Sequence, residues 1–145
     1  MKNPFFQSKV LVLFPLILVM LLDLVFTITG QPKYYWQDYR FFNEGSPLGP
    51  LLLSRHPGYF IIAFLIYLLF VLFLAVSLRK PFNIILVIAL FIAHSWGSAS
   101  WVPELFFRFF SFYIDSWYLI MGYFFVIGII SGFCLNQWLK AKGLG

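Results

Sequence analysis

Four apolar runs of similar length alternate along the chain with segments where charges and helix breakers collect. The first, Val10 to Thr29, follows Lys2 and Lys9 and is interrupted by Pro15 and Asp23. The second, Tyr59 to Leu78, carries no charge and stops at Arg79-Lys80-Pro81, and the third begins at once with Phe82 and continues to Trp101. The fourth runs from about Trp117 to Trp138, with Lys140 and Lys142 behind it. An α-helix needs about 20 apolar residues to cross a hydrocarbon core of about 30 Å. The pattern therefore predicts an all-α membrane protein with transmembrane helices over 10–29, 59–78, 82–101 and 117–138, in a single transmembrane domain of residues 1–145. A turn as short as Arg79-Lys80-Pro81 forces the second and third spans to be antiparallel neighbours.

A secretory signal also starts basic and turns apolar, but its apolar core is usually about 7–15 residues and ends at a small-x-small cleavage site. The first run is longer and offers no such site before Gln31, so it reads as a span.

The charges set the orientation. Lys2, Lys9, Arg79, Lys80, Lys140 and Lys142 fall on one side without an acidic residue among them. Lys33, Arg40, Arg55 and Arg108 share the other side with Asp38, Glu44, Glu104 and Asp115. Basic residues in short loops stay inside, and six against four places both termini in the cytoplasm of a multi-pass cell-membrane protein.

Two connecting segments are too long or too patterned to be plain turns. Gln31 to Gly58 opens with mixed aromatics and charges from Lys33 to Phe42, as interface-lying segments do. Its second part, Pro47 to Pro57, reads as a short interfacial or re-entrant element. Between the last two spans Pro103 opens an expected further helix, in which Glu104, Arg108, Ser111 and Asp115 fall at i, i+4, i+7 and i+11 among apolar residues. That polar stripe predicts an amphipathic helix lying in the interface between spans three and four, shielding the helices or acting as a lid, with Glu104 and Arg108 paired at i,i+4.

Composition agrees and excludes several classes. The chain is 62% hydrophobic and only 10% charged, against about 25% charged in soluble domains. Its net charge of +5 is spread in pairs at the ends of apolar runs, which excludes nucleic acid as a partner. The lone Cys134 supports neither a disulfide nor a metal cluster, and His56 and His94 lie on separate elements, so no metal or cofactor is expected.

Against this background a few polar residues stand out. Asp23 sits within the first span, where a carboxylate costs about 2.5–3.5 kcal/mol at the helix centre. Thr27, one turn on, shares its face and is placed to donate to it. His94 lies about seven residues below Trp101, as Asp23 lies about seven below Gly30, so at about 1.5 Å per residue both sit about 10 Å inside the outer boundary. An Asp23–His94 pair at matching depth would relieve the desolvation of both. The alternatives are an Asp23 that reaches interfacial water and a neutral His94 bonded to a helix carbonyl or a serine. Ser98 stands four residues from His94 on the same helix, which is the wrong arrangement for a serine–histidine nucleophile.

Small residues predict where helices approach. Ala89, Ala93 and Gly97 recur every four residues on the third span, and Gly128 and Gly132 form a G-x-x-x-G face on the fourth. Contact between these two spans is expected, with homodimerisation through Gly128 and Gly132 as the lesser alternative.

Asp23, Thr27, His94 and Ser98, rimmed by Glu44, Arg55, His56, Glu104 and Arg108, thus outline a polar pocket toward the outer side. The expected role is a non-catalytic binding, accessory or assembly subunit, with the bilayer and either a larger membrane complex or further copies of the chain as partners. The alternatives are a proton-linked transporter or channel component using Asp23 and His94, and a lipid-modifying enzyme at the outer leaflet.

Overall fold

The computed structural model describes residues 4–110 and 112–143. Among them there is no strand, and the long helices are α1 (Pro4–Thr29), α3 (Pro57–Ser77), α4 (Phe82–Phe109) and α5 (Ser116–Ala141). Short 3-10 turns at Lys33–Trp36 and Tyr39–Phe41 and a brief helix α2 (Gly49–Leu53) occupy the connection between α1 and α3. The stretches Lys9–Thr29, Pro57–Ser77, Phe82–Phe109 and Ser116–Ala141 are long and apolar enough to cross a membrane, and they coincide with the four apolar runs.

Local chemistry marks the helix ends. Pro57 starts α3 with its φ already suited to a helix, and the His56 Nδ1 caps the turn by accepting from Gly58 N at 3.0 Å. Asp115 does the same for α5, accepting from Trp117 N at 2.8 Å. Arg79-Lys80-Pro81 closes the tight connection between α3 and α4, and this end of the helices is called the hairpin end; the opposite end, where α1 meets α2, is the loop end.

Helix α1 is the hub. It packs most extensively on α4, then on α5, and also touches α3. Leu16 and Met20 of α1 meet Leu68 and Val71 of α3 in a buried cluster, with Val87, Leu90 and Phe91 of α4 against it. A second cluster, Leu24, Tyr35, Leu53 and Phe60, joins α1 and α3 to the loop segment and α2.

Two expectations are corrected. No separate amphipathic helix follows the third span: α4 runs unbroken through Pro103 to Phe109. Proline removes one backbone donor and strains the preceding turn, but in an apolar helix the remaining ladder is worth keeping because the alternative is unsatisfied backbone. Its 28 residues span about 42 Å, longer than a hydrocarbon core of about 30 Å, so the last turns extend beyond one. Asp115 lies outside this helix as the cap of α5, and Ser111 lies outside the described residues.

The second correction concerns the small residues. Helices α4 and α5 do touch, but through Ser98 with Tyr123 and Trp96 with Phe124. Ala89 and Ala93 are exposed, and Gly97 faces Asp23 of α1. Gly128 and Gly132 are exposed, and a Cβ added at either would meet nothing within 4 Å. The glycine that close approach requires is Gly30, at the end of α1, where a Cβ would collide with the Trp101 ring and the Phe26 carbonyl.

Gly30→Ala is therefore expected to destabilise the purified protein by about 1–3 kcal/mol, as overpacking does. Gly128→Ala is expected to be neutral or to stabilise by about 0.5–1 kcal/mol, the usual gain in a helix interior. Thermal unfolding of both variants in one detergent checks the contrast, and equal losses would refute the packing described for α5.

Candidate functional site

The fold brings Asp23 and His94 into contact. With α1 and α4 running in the same direction from the hairpin end, residues at matching distance along each helix come level. The Asp23 Oδ2 stands 2.7 Å from His94 Nδ1, and both side chains are mostly buried. Gly97, one turn from His94, makes room: a Cβ there would come 2.7 Å from Asp23 Oδ1. The pair depends on a residue that sequence spacing assigned to helix packing.

An ionised Asp23 can only accept, and with it His94 Nδ1 carries the proton of that bond. In a neutral ring Nε2 is then the acceptor, and the Tyr67 hydroxyl of α3 stands 3.4 Å from it as its donor. Phe64 and Tyr67 flank the imidazole, with ring centroids 5.7 and 5.8 Å away. Ser98 is fully buried, and its hydroxyl donates to the His94 carbonyl at 2.6 Å. It has one hydrogen, so Tyr123 of α5 is the donor in the 2.6 Å contact between their hydroxyls. Ser98 therefore ties α4 to α5.

Thr27 does not join the pair. It is buried, its carbonyl accepts from Gln31 Nε2 at 2.9 Å, and no Thr27–Asp23 hydrogen bond occurs among the described residues. Gln31, which sequence reasoning passed over, is the organiser of the loop end. Its amide also donates to the Asn43 carbonyl at 3.0 Å and accepts from Asn43 N at 2.8 Å. This clasp carries the neighbouring Glu44 over the end of α1, where Glu44 Oε1 accepts from Ser46 N at 2.9 Å. An uncharged polar residue just past an apolar run was the available signal.

Between the pair and this loop lies a cavity of about 560 Å³. Asp23 and His94 contribute to its wall from within the helices, Asn43 to Ser46 line it from the loop, and Trp96, Gly97, Ser100 and Trp101 line it from α4. Trp96 is 64% exposed, so the cavity also borders the outer surface of the helices. Its lining holds two carboxylates and an imidazole but no lysine or arginine. Among the described residues no three His, Cys, Asp or Glu side chains converge as a metal cage.

No family model, curated protein or solved structure matches this chain. The chemistry of the cavity is accordingly read from its residues alone.

The expected rim is only partly there. Glu44 lines the cavity, whereas Arg55, His56, Glu104 and Arg108 do not. His56 is spent capping α3, with its ring edge-on to Tyr39 at 5.2 Å. Arg55 lines a different groove. Glu104 and Arg108 pair at 3.2 Å as the spacing predicts, but Arg108 also donates to the carbonyls of Thr29, Gly30 and Gln31. Those carbonyls end α1 without helical donors, so Arg108 satisfies groups that nothing in the ladder reaches. The polar stripe signalled a clamp between helix ends, since a guanidinium offers five donors in a fixed fork.

The loop covering the helix ends has its own anchors. Tyr35 is fully buried and donates to the Leu53 carbonyl at 3.1 Å, with burial first and then Tyr39 pushing its phenol up to about 12. Arg40 holds Asp38 down at about 2 through side-chain and backbone hydrogen bonds, although that pair lies at the surface and adds little stability.

Two outcomes follow. Asp23→Ala leaves the His94 Nδ1 hydrogen without an acceptor in apolar surroundings, for an expected loss of about 1–3 kcal/mol, whereas Asp23→Asn keeps an acceptor and loses less. Thermal unfolding of the two variants beside the wild type measures the difference. The Tyr35 phenol ionises later when folded than when unfolded, so its contribution is complete below pH 10 and disappears as the pH climbs through about 12. Tyr35→Phe should cost about 1 kcal/mol at neutral pH and remove the absorbance step near pH 12.

Proposed function

We propose that this chain is a multi-pass cell-membrane protein with both termini in the cytoplasm, and that it serves as a non-catalytic binding or accessory subunit with a polar pocket on the outer side. The observation that carries the reading is the Asp23–His94 pair in the wall of a cavity that reaches the loop end. Toward the hairpin end the same helices close over Leu16, Met20, Leu68 and Val71, with Phe64, Leu90 and Phe91 packed around them. Polar access from one side and a dry seal on the other suit binding from outside rather than passage through the helices. A proton-linked role would need a hydrated or hydrogen-bonded path across that seal.

Both ring nitrogens of His94 and the Ser98 hydroxyl have partners within the helices, and these contacts support a helix-joining role for them. The carboxylates of Asp23 and Glu44 beside Trp96 and Trp101, with no cation in the lining, suit a ligand group that donates hydrogen bonds or carries positive charge.

Orientation rests on the cations. Arg79, Lys80, Lys140 and Lys142 gather at the hairpin end with no acidic residue beside them in the sequence, while at the loop end Arg40 and Arg108 are matched by Asp38 and Glu104. The hairpin end is accordingly the cytoplasmic one.

Single cysteines in a Cys134→Ser background test both statements. A membrane-impermeant maleimide added to intact cells should label Ser100→Cys in the cavity, spare Leu68→Cys in the seal, and label Ser77→Cys at the hairpin end only after permeabilisation. The reverse pattern for positions 77 and 100 would invert the topology. Proteoliposomes of the wild type should pass protons no faster than empty vesicles; a flux that Asp23→Asn abolishes would replace this reading with the transporter.

A further inference from the structure

We infer that the chain carries a second binding site, between α2 and α3 at the loop end, for the phosphate and one acyl chain of an anionic phospholipid. The site is a groove of about 330 Å³ between α2 and α3 that shares no residue with the Asp23 cavity. One wall is a single face of α3, Tyr59, Ile62, Ala63 and Ile66, at i, i+3, i+4 and i+7. The other is Leu51 and Leu52 of α2. That wall is anchored, because the Tyr35 hydroxyl holds the Leu53 carbonyl and Leu53 is fully buried. Ala63 supplies the depth, standing between the larger Ile62 and Ile66.

Arg55 closes the loop-end mouth of this groove. It is exposed, and among the described residues its guanidinium has no ion pair or side-chain hydrogen bond, whereas Arg40 and Arg108 at the same end are paired with Asp38 and Glu104. A free guanidinium above an apolar channel matches a lipid in both parts. Its planar fork takes phosphate oxygens in pairs, and the channel below takes hydrocarbon. The distance from Tyr59 to Ile66, about 10 Å along the helix, fits the upper part of an acyl chain. Tyr59, more than half exposed beside Arg55, adds an aromatic ring with a hydroxyl at the level where headgroups meet hydrocarbon. The site requires the helices to be membrane-inserted and is independent of what the Asp23 cavity holds.

Native mass spectrometry of the full chain in detergent, titrated with phosphatidylglycerol or phosphatidylcholine, tests the site. The wild type should retain one phosphatidylglycerol at lower concentration than phosphatidylcholine. Arg55→Gln should weaken phosphatidylglycerol retention by about tenfold, the loss of one charge-assisted hydrogen-bonding group, and weaken phosphatidylcholine less, because its choline cation already offsets the phosphate charge. Arg55→Lys should fall between them, which separates charge from misfolding, and Arg40→Gln should match the wild type. Ala63→Trp should fill the channel and abolish retention of both lipids. Equal affinity for the two lipids in the wild type, or phosphatidylglycerol affinity unchanged in Arg55→Gln, would overturn the site. A dimer lost in Ala63→Trp while lipid retention persists would overturn it in favour of an interface between copies.

Discussion

A carboxylate placed inside an apolar helix must find a partner, and the rest of this structure is arranged around the one that Asp23 finds. In lipid such a group costs about 2.5–3.5 kcal/mol at the helix centre, and an imidazole at the same level relieves that cost for both. The 2.7 Å bond from His94 sets the register of α1 against α4, and Gly97 lets the two backbones come close enough for it to form. Tyr67 then brings α3 to the same ring, and Ser98 with Tyr123 brings α5 to the turn that follows. The polar groups form one connected set across four helices, in surroundings where an unpaired member would be costly.

The same demand for satisfied polar groups explains the loop end. The carbonyls that finish α1 have no helical donors, and Arg108 arrives from α4 to meet them. Gln31 secures Asn43 by two further bonds, and Glu44 is carried into place over the cavity. Tyr35 pins α2 through Leu53. The cavity is thus a consequence of how helix ends are capped, and the groove beside Arg55 is a consequence of where α2 is held.

Much of the fold was legible because helix length and depth are properties of a single segment. The four apolar runs marked the helices, and counting residues from Gly30 and Trp101 put Asp23 and His94 at one level. The site was legible only in part. Glu44 reached the cavity as the rim predicted, but His56 and Arg108 were engaged in capping helix ends, Arg55 faced a different groove, and Thr27 turned its carbonyl to Gln31. Pro103 looked like a beginning and proved to be the interior of α4. Gly128 and Gly132 looked like a face toward the third span, and within the chain they meet open space.

The sequence by itself determined where helices form, which ends carry cations with no acidic residue beside them in the chain, and how far along its helix each polar residue lies, because hydropathy and a fixed rise per residue act along one segment at a time. Only the tertiary structure decided how each helix is rotated about its axis and which neighbour it meets. In many helices an apolar stripe marks the buried side, but these four helices are long and apolar enough to cross a membrane, and hydropathy alone assigns none of their faces to a neighbour. The rotation was left to the few polar side chains and to the glycines that let them meet, and their partners lie on other segments.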